Sequence, residues 1–254
     1  IRDRVNISTQ TGNLTITEAI TTTSTASNAL VLAAGTSIAA GTSTGGNILI
    51  SGNAAGPGNI SVGAGGMITL YTGSVANSTG VTTPVGSGSG NFRYDSNATS
   101  QGYTLALASS GIAAVYREQP SLTVTANSSN VTYGTAIQAS FTTNAVNGDT
   151  ASQLFASNAQ PAVALVNTSY ATSGNLNAGN YTVGVTSGGA NQLGYATASY
   201  VNGTAQVNKA TLIMSGAVVA NLTYNNSTLA SFSNNGSLSG VLSNATSGTS
   251  DLVT

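Results

Sequence analysis

The chain has 254 residues, of which five are basic and six acidic, and it contains no His, Cys or Trp. So few charges exclude tight binding of nucleic acid or an anionic membrane surface, because a polyanion is held by several clustered basic side chains. Without Cys or His, disulfides and thiolate or imidazole metal sites are excluded as well. We expect no cofactor, and no membrane insertion, since the sequence has no apolar run of about 20 residues.

Short strand-like segments follow one another through the first part of the chain. Five of them start at Gly12, Asn28, Gly46, Gly58 and Gly66 and read "GNLTITEAI", "NALVLAAGTSI", "GNILISG", "GNISVG" and "GMITLYTG". Each alternates branched apolar with polar residues, which is the period of a strand with one buried face. Their recurrence predicts stacked rungs. We therefore predict an all-β fold in which residues 1–120 form an irregular parallel β-helix, or solenoid, with a polar cap.

The predicted cap, near the end of this segment, contains four charged residues: Arg93, Asp95, Arg117 and Glu118. Within it, residues 102–108 and 112–116 are predicted to form strands. Two carboxylates can serve general acid and base catalysis, but each acid here has a basic neighbour. Local ion pairs or solvent exposure explain the two acids, Asp95 and Glu118, without chemistry, so we predict no catalytic residue and no enzyme. We also predict no metal site, since the sequence has no Asp-rich loop.

A different module begins near Ser121, and residues 121–209 are predicted to form a first small antiparallel β module. Its strand pattern ends in two alternating runs that are separated by Asn202 and Gly203. An Asn-Gly pair between such runs is a strong signal for a hairpin with a type I′ turn. The pattern leaves two folds open for this module, an immunoglobulin-like sandwich and a β-grasp-like sheet.

The module pattern restarts after Lys209. Leu212 matches Leu122 at a distance of 90 positions, and Tyr224 matches Tyr133 at 91. Residues 210–254 are therefore predicted to be the start of a second, incomplete all-β module with open sheet edges. Tyrosines within alternating runs are interpreted as core or cross-strand residues rather than as sugar-stacking rings; these are Tyr133, Tyr181, Tyr200 and Tyr224.

Asn-x-Ser/Thr sequences occur at about twice the frequency expected by chance, and each is a candidate site of N-glycosylation. Their asparagines are Asn6, Asn13, Asn59, Asn77, Asn97, Asn127, Asn130, Asn167, Asn180, Asn202, Asn221, Asn225, Asn226, Asn235 and Asn244. Asn and Thr also suit turn corners and strand faces, and this structural role accounts for part of the excess.

Three stretches resemble one protein family. The stretch "ITLYTGSVANSTGVTTPVGSGSGNFRYDSN", followed by "IAAVYREQP", resembles the join in filamentous-haemagglutinin-like exoproteins of Gram-negative bacteria. The stretches "LTVTANSSNVTYG" and "AGNYTVGVTSGGANQLGYATASYVNGTAQVNKATL" resemble the tandem all-β repeats, called MBG or YDG modules, that follow that join. Together they cover residues 68–212. The later "LTYNNS" departs from the usual Tyr-Gly or Tyr-Asp-Gly of these modules.

The resemblance implies a secreted adhesin or fibre on the surface of a Gram-negative bacterium, exported by two-partner secretion and, as in some members, glycosylated. The expected partners are further copies of the chain or neighbouring modules of a longer chain, together with a host or matrix glycan or protein receptor. Complementation by a strand from a neighbouring subunit is a route to polymerisation, because an open half-module has unpaired edges. The alternative function is a carbohydrate-binding or polysaccharide-acting β-helix protein.

Overall fold

The computed structural model describes residues 4–186, 188–224, 226, 228–243 and 248–251. Within this part of the chain the secondary structure is almost entirely β. The helices are a 3-10 turn at Gly52–Ala55 and two single α-turns, α1 (Thr82–Val85) and α2 (Ala151–Leu154). The all-β prediction is confirmed, and it follows from the period-two patterning and from the many Gly and Asn residues that interrupt any longer helical run.

The chain forms two compact units that interleave along the sequence. The first comprises Ile1–Thr125, Thr142–Ala162 and Val185–Val201, and the second comprises Ala126–Phe141, Val163–Gly184 and Asn202–Thr254. Neither unit is continuous in sequence, so the domain boundaries suggested at residues 120 and 209 stay predictions.

Nine strands belong to the first part of the chain: β1 (Val5–Ser8), β2 (Leu14–Ile16), β3 (Ile20–Thr22), β4 (Leu30–Ala33), β5 (Ile48–Ile50), β6 (Ile60–Val62), β7 (Met67–Thr72), β8 (Phe92–Arg93) and β9 (Gly111–Tyr116). Five of them form a sheet in the order β1-β4-β7-β9-β8, and every neighbouring pair in it is parallel. Two further parallel pairs, β2 with β5 and β3 with β6, form sheets of their own.

Rows of apolar side chains cross the five-stranded sheet at right angles to its strands. Residues that lie opposite one another on β1, β4, β7 and β9 make two such rows, Val5–Leu30–Ile68–Ile112 and Ile7–Leu32–Leu70–Ala114. Leu30, Ile68 and Leu70 are completely buried. The two-stranded sheets continue the pattern, because Leu14 lies opposite Ile48 and Ile20 opposite Ile60. Apolar residues at equal strand positions thus stack on one another, which holds the register.

The remaining strands are β10 (Thr123–Ala126), β11 (Ser129–Thr132), β12 (Phe141–Thr143), β13 (Val163–Val166), β14 (Gly179–Val185), β15 (Ser199–Val201), β16 (Gly203–Asn208), β17 (Ile213–Val219) and β18 (Phe232–Ser239). They form sheets in the orders β12-β10-β15, β11-β16-β14-β13 and β17-β18. The pairs β10–β15 and β11–β16 are parallel, whereas β14–β16 and β17–β18 are antiparallel. The first module is therefore mixed, and the prediction of a purely antiparallel module is wrong.

The predicted hairpin at Asn202 and Gly203 is also wrong. These residues separate β15 from β16, and both strands run parallel to the consecutive strands β10 and β11. A type I′ turn needs positive φ at both central residues, and neither residue has it. The glycine is required for a different reason. A Cβ on Gly203 would lie 2.4 Å from the carbonyl oxygen of Ala126, so only glycine allows the backbones this close.

The strands that follow Leu122 and Leu212, in the predicted first and second copies of the module, pair in a similar way. In the first copy, backbone hydrogen bonds from Asn127 N–H to the Ser140 carbonyl and from Asn144 N–H to the Thr123 carbonyl join β10 to β12. In the second copy, β17 and β18 pair antiparallel with Ile213 opposite Ser239. The first copy adds β15 to the other edge of β10. Within the described residues, β17 pairs with β18 alone.

Candidate functional site

Arg93 is a buried cation that holds backbone carbonyl groups. Its side chain is 2% exposed. Its guanidinium group donates from Nε to the Leu105 carbonyl (2.7 Å), from Nη1 to the Gly90 carbonyl (2.8 Å) and from Nη2 to the Ala106 carbonyl (2.6 Å). Without Arg93, these carbonyl groups would be available to the backbone N–H groups of a neighbouring strand. The prediction that residues 102–108 form a strand is wrong, and Arg93 takes the place of a neighbouring strand.

Arg117 has the same role at another loop. It is 1% exposed, and its guanidinium group donates from Nη1 to the Ala34 carbonyl (2.6 Å) and from Nη2 to the Gly46 carbonyl (3.2 Å). These carbonyls stand at the two ends of the loop that joins β4 to β5. Burial lowers the pKa of Arg117 from its ordinary value. Arginine keeps its charge nonetheless, because its pKa starts above about 12.

The carboxylates of the predicted cap do not form a pair for acid and base chemistry. Glu118 accepts a hydrogen bond from Val75 N–H through Oε2 (2.6 Å), and Asp95 accepts one from Gln119 Nε2 through Oδ2 (3.1 Å). Their backbones do meet, since Asp95 N–H donates to the Glu118 carbonyl (2.9 Å). Arg93 and Arg117, the basic neighbours expected to pair with these acids, are buried and donate to backbone carbonyl groups.

A buried carboxylate with two tyrosines is the polar cluster that the sequence did not indicate. Asp149 is 6% exposed, and its Oδ2 accepts hydrogen bonds from the hydroxyl groups of Tyr94 (2.7 Å) and Tyr195 (2.8 Å). Its Oδ1 is buried without a hydrogen-bond partner. Asn147 donates from Nδ2 to the Tyr94 hydroxyl (3.1 Å), and the two tyrosine rings are 4.5 Å apart between centroids.

Burial dominates the electrostatics of this cluster. It raises the pKa of Asp149 above its ordinary value, although the two tyrosine hydrogen bonds act in the opposite direction. It also raises the pKa values of Tyr94 and Tyr195, and the nearby carboxylate adds to the effect. A charged group inside a protein is costly without a partner. Hydrogen bonds of the cluster connect residues 146–149 to Tyr94 and Tyr195. The sequence around Asp149, "VNGDT", does not distinguish this Asp from one in an exposed turn.

The predicted positions of the four singled-out tyrosines are only partly right. Tyr133, Tyr181 and Tyr200 are half-buried, whereas Tyr224 is 90% exposed. Tyr224 lies between β17 and β18 in the chain and outside both strands.

Most of the candidate glycosylation sites are exposed in the structure. Ten of the asparagines are in this class: Asn6, Asn13, Asn77, Asn130, Asn167, Asn180, Asn202, Asn221, Asn226 and Asn235. Three others are half-buried: Asn59, Asn97 and Asn127. The last two, Asn225 and Asn244, lie outside the described residues.

The half-buried asparagines have their amide nitrogens in use. Asn59 donates from Nδ2 to the Asn53 carbonyl (2.7 Å), Asn97 to the Ile38 carbonyl (3.1 Å) and Asn127 to the Ser140 hydroxyl (3.0 Å). An N-linked sugar is attached through this nitrogen, so modification of the folded chain would break these contacts. The exposed sequons are therefore the better candidates.

An uncharged groove of about 680 Å³ lies along β11, β16 and β14. Asn130, Gln206 and Asn180 lie opposite one another on these strands, and Thr204 lies opposite Thr182. All five residues are exposed. Amide and hydroxyl groups can both donate and accept hydrogen bonds, which suits the hydroxyl groups of a neutral sugar. Two of these residues, Asn130 and Asn180, are also candidate glycosylation sites.

In comparisons with models of protein families, with characterised proteins and with solved structures, nothing matches this chain. The part of the chain that the structure describes contains no group of three or more His, Cys, Asp or Glu side chains that could hold a metal ion. Of its helices, none is long and apolar enough to span a bilayer.

Proposed function

We propose that the protein is an extracellular structural or adhesive protein, forming part of a filament or stalk on the surface of a Gram-negative cell. The observation that carries the proposal is the stack of parallel strands in register, with uninterrupted apolar rows across β1, β4, β7 and β9. Such a stack grows by adding strands of the same kind, so length and stiffness can increase without new side-chain chemistry.

The finer form of this part of the fold is an irregular parallel β-helix. Three successive strands, β1, β2 and β3, pair in the same order with the next three, β4, β5 and β6. One turn of a three-sided solenoid followed by another gives this order of pairing. In this proposal the following strands are tandem sandwich-like or β-grasp-like modules of the same stalk.

The use of the charged residues supports a structural role. The two most buried charged side chains, Arg93 and Arg117, hold loop carbonyls rather than facing a cleft. A catalytic centre instead directs its charges at the position where a substrate reacts. No enzymatic activity, bound cofactor or nucleic-acid partner is part of the proposal.

Export by two-partner secretion, glycosylation at the exposed sequons, and joining of subunits by strand complementation complete the proposal. The support for glycosylation is the exposure of ten candidate asparagines, and the support for complementation is the unpaired edge of β17 in the described part of the chain. A glycan or protein of the host or matrix is the proposed receptor.

Cell attachment tests the adhesive role. The full chain would be displayed on an outer-membrane anchor, and attached cells would be counted under flow on matrix-coated and bare surfaces. We expect several-fold more attached cells than with the anchor alone. Equal attachment at equal display levels would contradict an adhesive role.

Intact-mass measurement of material from the native host tests the glycosylation. We expect mass increments of whole sugars, with peptide mapping that places them on exposed asparagines such as Asn77 and Asn167 rather than on Asn97. A mass equal to that of the bare chain would contradict this part of the proposal.

A second candidate function, carbohydrate binding, rests on the groove along β11, β16 and β14. Its test is glycan binding by the unmodified chain and by a Gln206→Ala variant, whose side chain lies in the middle of the Asn130–Gln206–Asn180 row. Binding of a neutral glycan that the variant loses would favour this function. Activity on polysaccharides would appear as released reducing ends, and we expect none.

A further inference from the structure

The strand β17 leaves more than half of each of its large apolar residues exposed. Its sequence is "IMSGAVV", and the exposed fractions are 59% for Ile213, 64% for Met214, 53% for Val218 and 55% for Val219. A two-stranded ribbon is marginally stable by itself in water. Because β18 is also largely exposed, the β17–β18 ribbon lacks the packed surface that supports the other strands.

The open edge of β17 has a register irregularity between Val218 and Val219 but no charge or Pro that discourages pairing. In the first copy of the module, β10 is bonded on both edges, to β12 and to β15. The corresponding second edge of β17 is unpaired within the described residues. Natural edge strands are commonly guarded by Lys, by other charges or by Pro. Residues 210–250 contain no charged residue and no Pro, so nothing in this stretch repels another strand.

The sequence of β17 is symmetric about Gly216. Two apolar residues, Ile213 and Met214, precede Ser-Gly-Ala, and two others, Val218 and Val219, follow it. When two such strands run antiparallel with Gly216 opposite Gly216, Ile213 lies opposite Val219 and Met214 opposite Val218. Gly216 has a φ of +73°, and a Cβ built on it meets no atom within 4 Å, so the face of the ribbon is open at the centre of the contact.

We propose that β17 pairs antiparallel with β17 of a second copy of this chain, in the register that places the two Gly216 residues opposite each other. The result is a four-stranded sheet in the order β18-β17-β17-β18. Each pair of directly opposed apolar residues stabilises a sheet, and the symmetric register provides four such pairs. Self-complementarity of this kind is what a two-fold interface requires.

This inference rests on the strand-complementation part of the proposed function and makes it specific. A two-fold contact uses the same strand from both partners and is then closed. It joins two chains and does not extend a filament, so the expected product is a dimer without higher oligomers.

Light scattering coupled to size-exclusion chromatography tests the dimer on the full chain. We expect the mass to rise from that of a monomer to that of a dimer as concentration increases. The variant Met214→Lys/Val218→Lys places two charges on the edge, and we expect it to remain monomeric. The matched control, Tyr224→Lys/Leu229→Lys, adds the same charges outside the strands and should dimerise like the unmodified chain. A monomer at all concentrations, or dimers of both variants, would overturn the proposal.

Cysteine cross-linking tests the register. Because the chain has no native Cys, only the introduced residues can form a disulfide. Two proteins, one with Met214→Cys and one with Val218→Cys, would be mixed and oxidised. Opposed residues on paired strands have Cβ atoms about 4.5–5.5 Å apart, close enough for a disulfide after small adjustments. We expect the mixed disulfide to exceed both homodimers. An excess of either homodimer would overturn the symmetric register.

A competing occupant is a strand like β15–β16, which fills the corresponding edge in the first copy. A synthetic peptide of residues 199–208 that binds the edge of β17 in a chain that stays monomeric at all concentrations would overturn self-pairing in favour of this occupant. The attachment assay is independent of these results. A monomer that increases attachment contradicts the dimer alone, whereas a dimer without increased attachment contradicts the adhesive role alone.

Discussion

The parallel sheet β1-β4-β7-β9-β8 and the ribbon β17-β18 are made from similar sequences and have opposite environments. Both use short apolar strands broken by Gly, Ser, Thr and Asn. Leu70 in β7 is completely buried, whereas Met214 in β17 is 64% exposed. The difference lies in the number of neighbours, since β7 is bonded to strands on both edges and β17 to one in the described part of the chain. The alternating pattern thus predicts that a segment forms a strand, whereas the neighbouring strands decide whether its side chains are buried.

The largest expected effect compares truncations in these two regions. Leu70→Ala would leave a cavity in the apolar row, at a cost of about 2–5 kcal/mol. Met214→Ala removes an exposed side chain and should change stability by less than about 0.5 kcal/mol. Amide hydrogen exchange resolved by peptide would measure both, because it reports local opening in each region. Equal losses of stability in the two variants would show that the β17–β18 ribbon is packed in solution. The proposed dimer would also pack the ribbon at high protein concentration, so the exchange should be measured at low concentration.

The next effect compares a buried cation with an exposed one. Arg117→Met would leave the buried carbonyls of Ala34 and Gly46 without their donors, and each such loss costs about 1–3 kcal/mol. Lys209→Met removes the same charge from an exposed residue and should cost less than about 0.5 kcal/mol.

Urea unfolding of both variants, together with amide hydrogen exchange measured in residues 34–46, would distinguish them. Similar stability of both would mean that the loop between β4 and β5 does not depend on Arg117.

The smallest effect compares the pH dependence of two carboxylates. Burial raises the pKa of Asp149 above 3.8, so the folded chain binds this proton more tightly than the unfolded chain does. Stability should therefore fall as pH rises from 3.8 through the raised pKa. Hydrogen bonds from Ser173 and Tyr133 lower the pKa of Asp251. Its contribution should be present above 3.8 and be lost as pH falls through the lowered pKa.

Asparagine variants separate the two dependences. Asp149→Asn should remove the fall in stability with rising pH, and Asp251→Asn should remove the loss at acid pH. Urea midpoints measured from pH 7 down to about pH 2, below the ordinary pKa of both carboxylates, would check both. A steeper fall with rising pH in Asp149→Asn than in the unmodified chain would contradict the assignment of Asp149.

The sequence correctly indicated the strands of the first part of the chain because their apolar residues alternate, and alternation is a local property. It failed at residues 102–108, where the same alternation is present but Arg93 takes the carbonyl groups. It failed again at Asn202 and Gly203, where a hairpin turn was predicted. Glycine is needed at 203 because the backbone of Ala126 approaches closely, and not because the chain turns there. In both cases a distant residue outweighed the local preference.

For the candidate site, the sequence could name the fifteen asparagines but not their accessibility. Asn97 and Asn77 have the same motif, and only the fold places the amide of Asn97 against the Ile38 carbonyl. The cluster of Asp149, Tyr94 and Tyr195 unites residues from three separate stretches, and no spacing connects them.

By itself, the sequence determined the all-β class and the absence of disulfide and of His or Cys metal chemistry, and it predicted a repeat near Leu122 and Leu212. These follow from composition and from periods of a few residues, which need no knowledge of neighbours. Only the tertiary structure decided the parallel order of the strands, the burial of Arg93, Arg117 and Asp149, and the exposure of β17. Those depend on which distant segments meet, because burial and hydrogen bonding are properties of the contact and not of either segment alone.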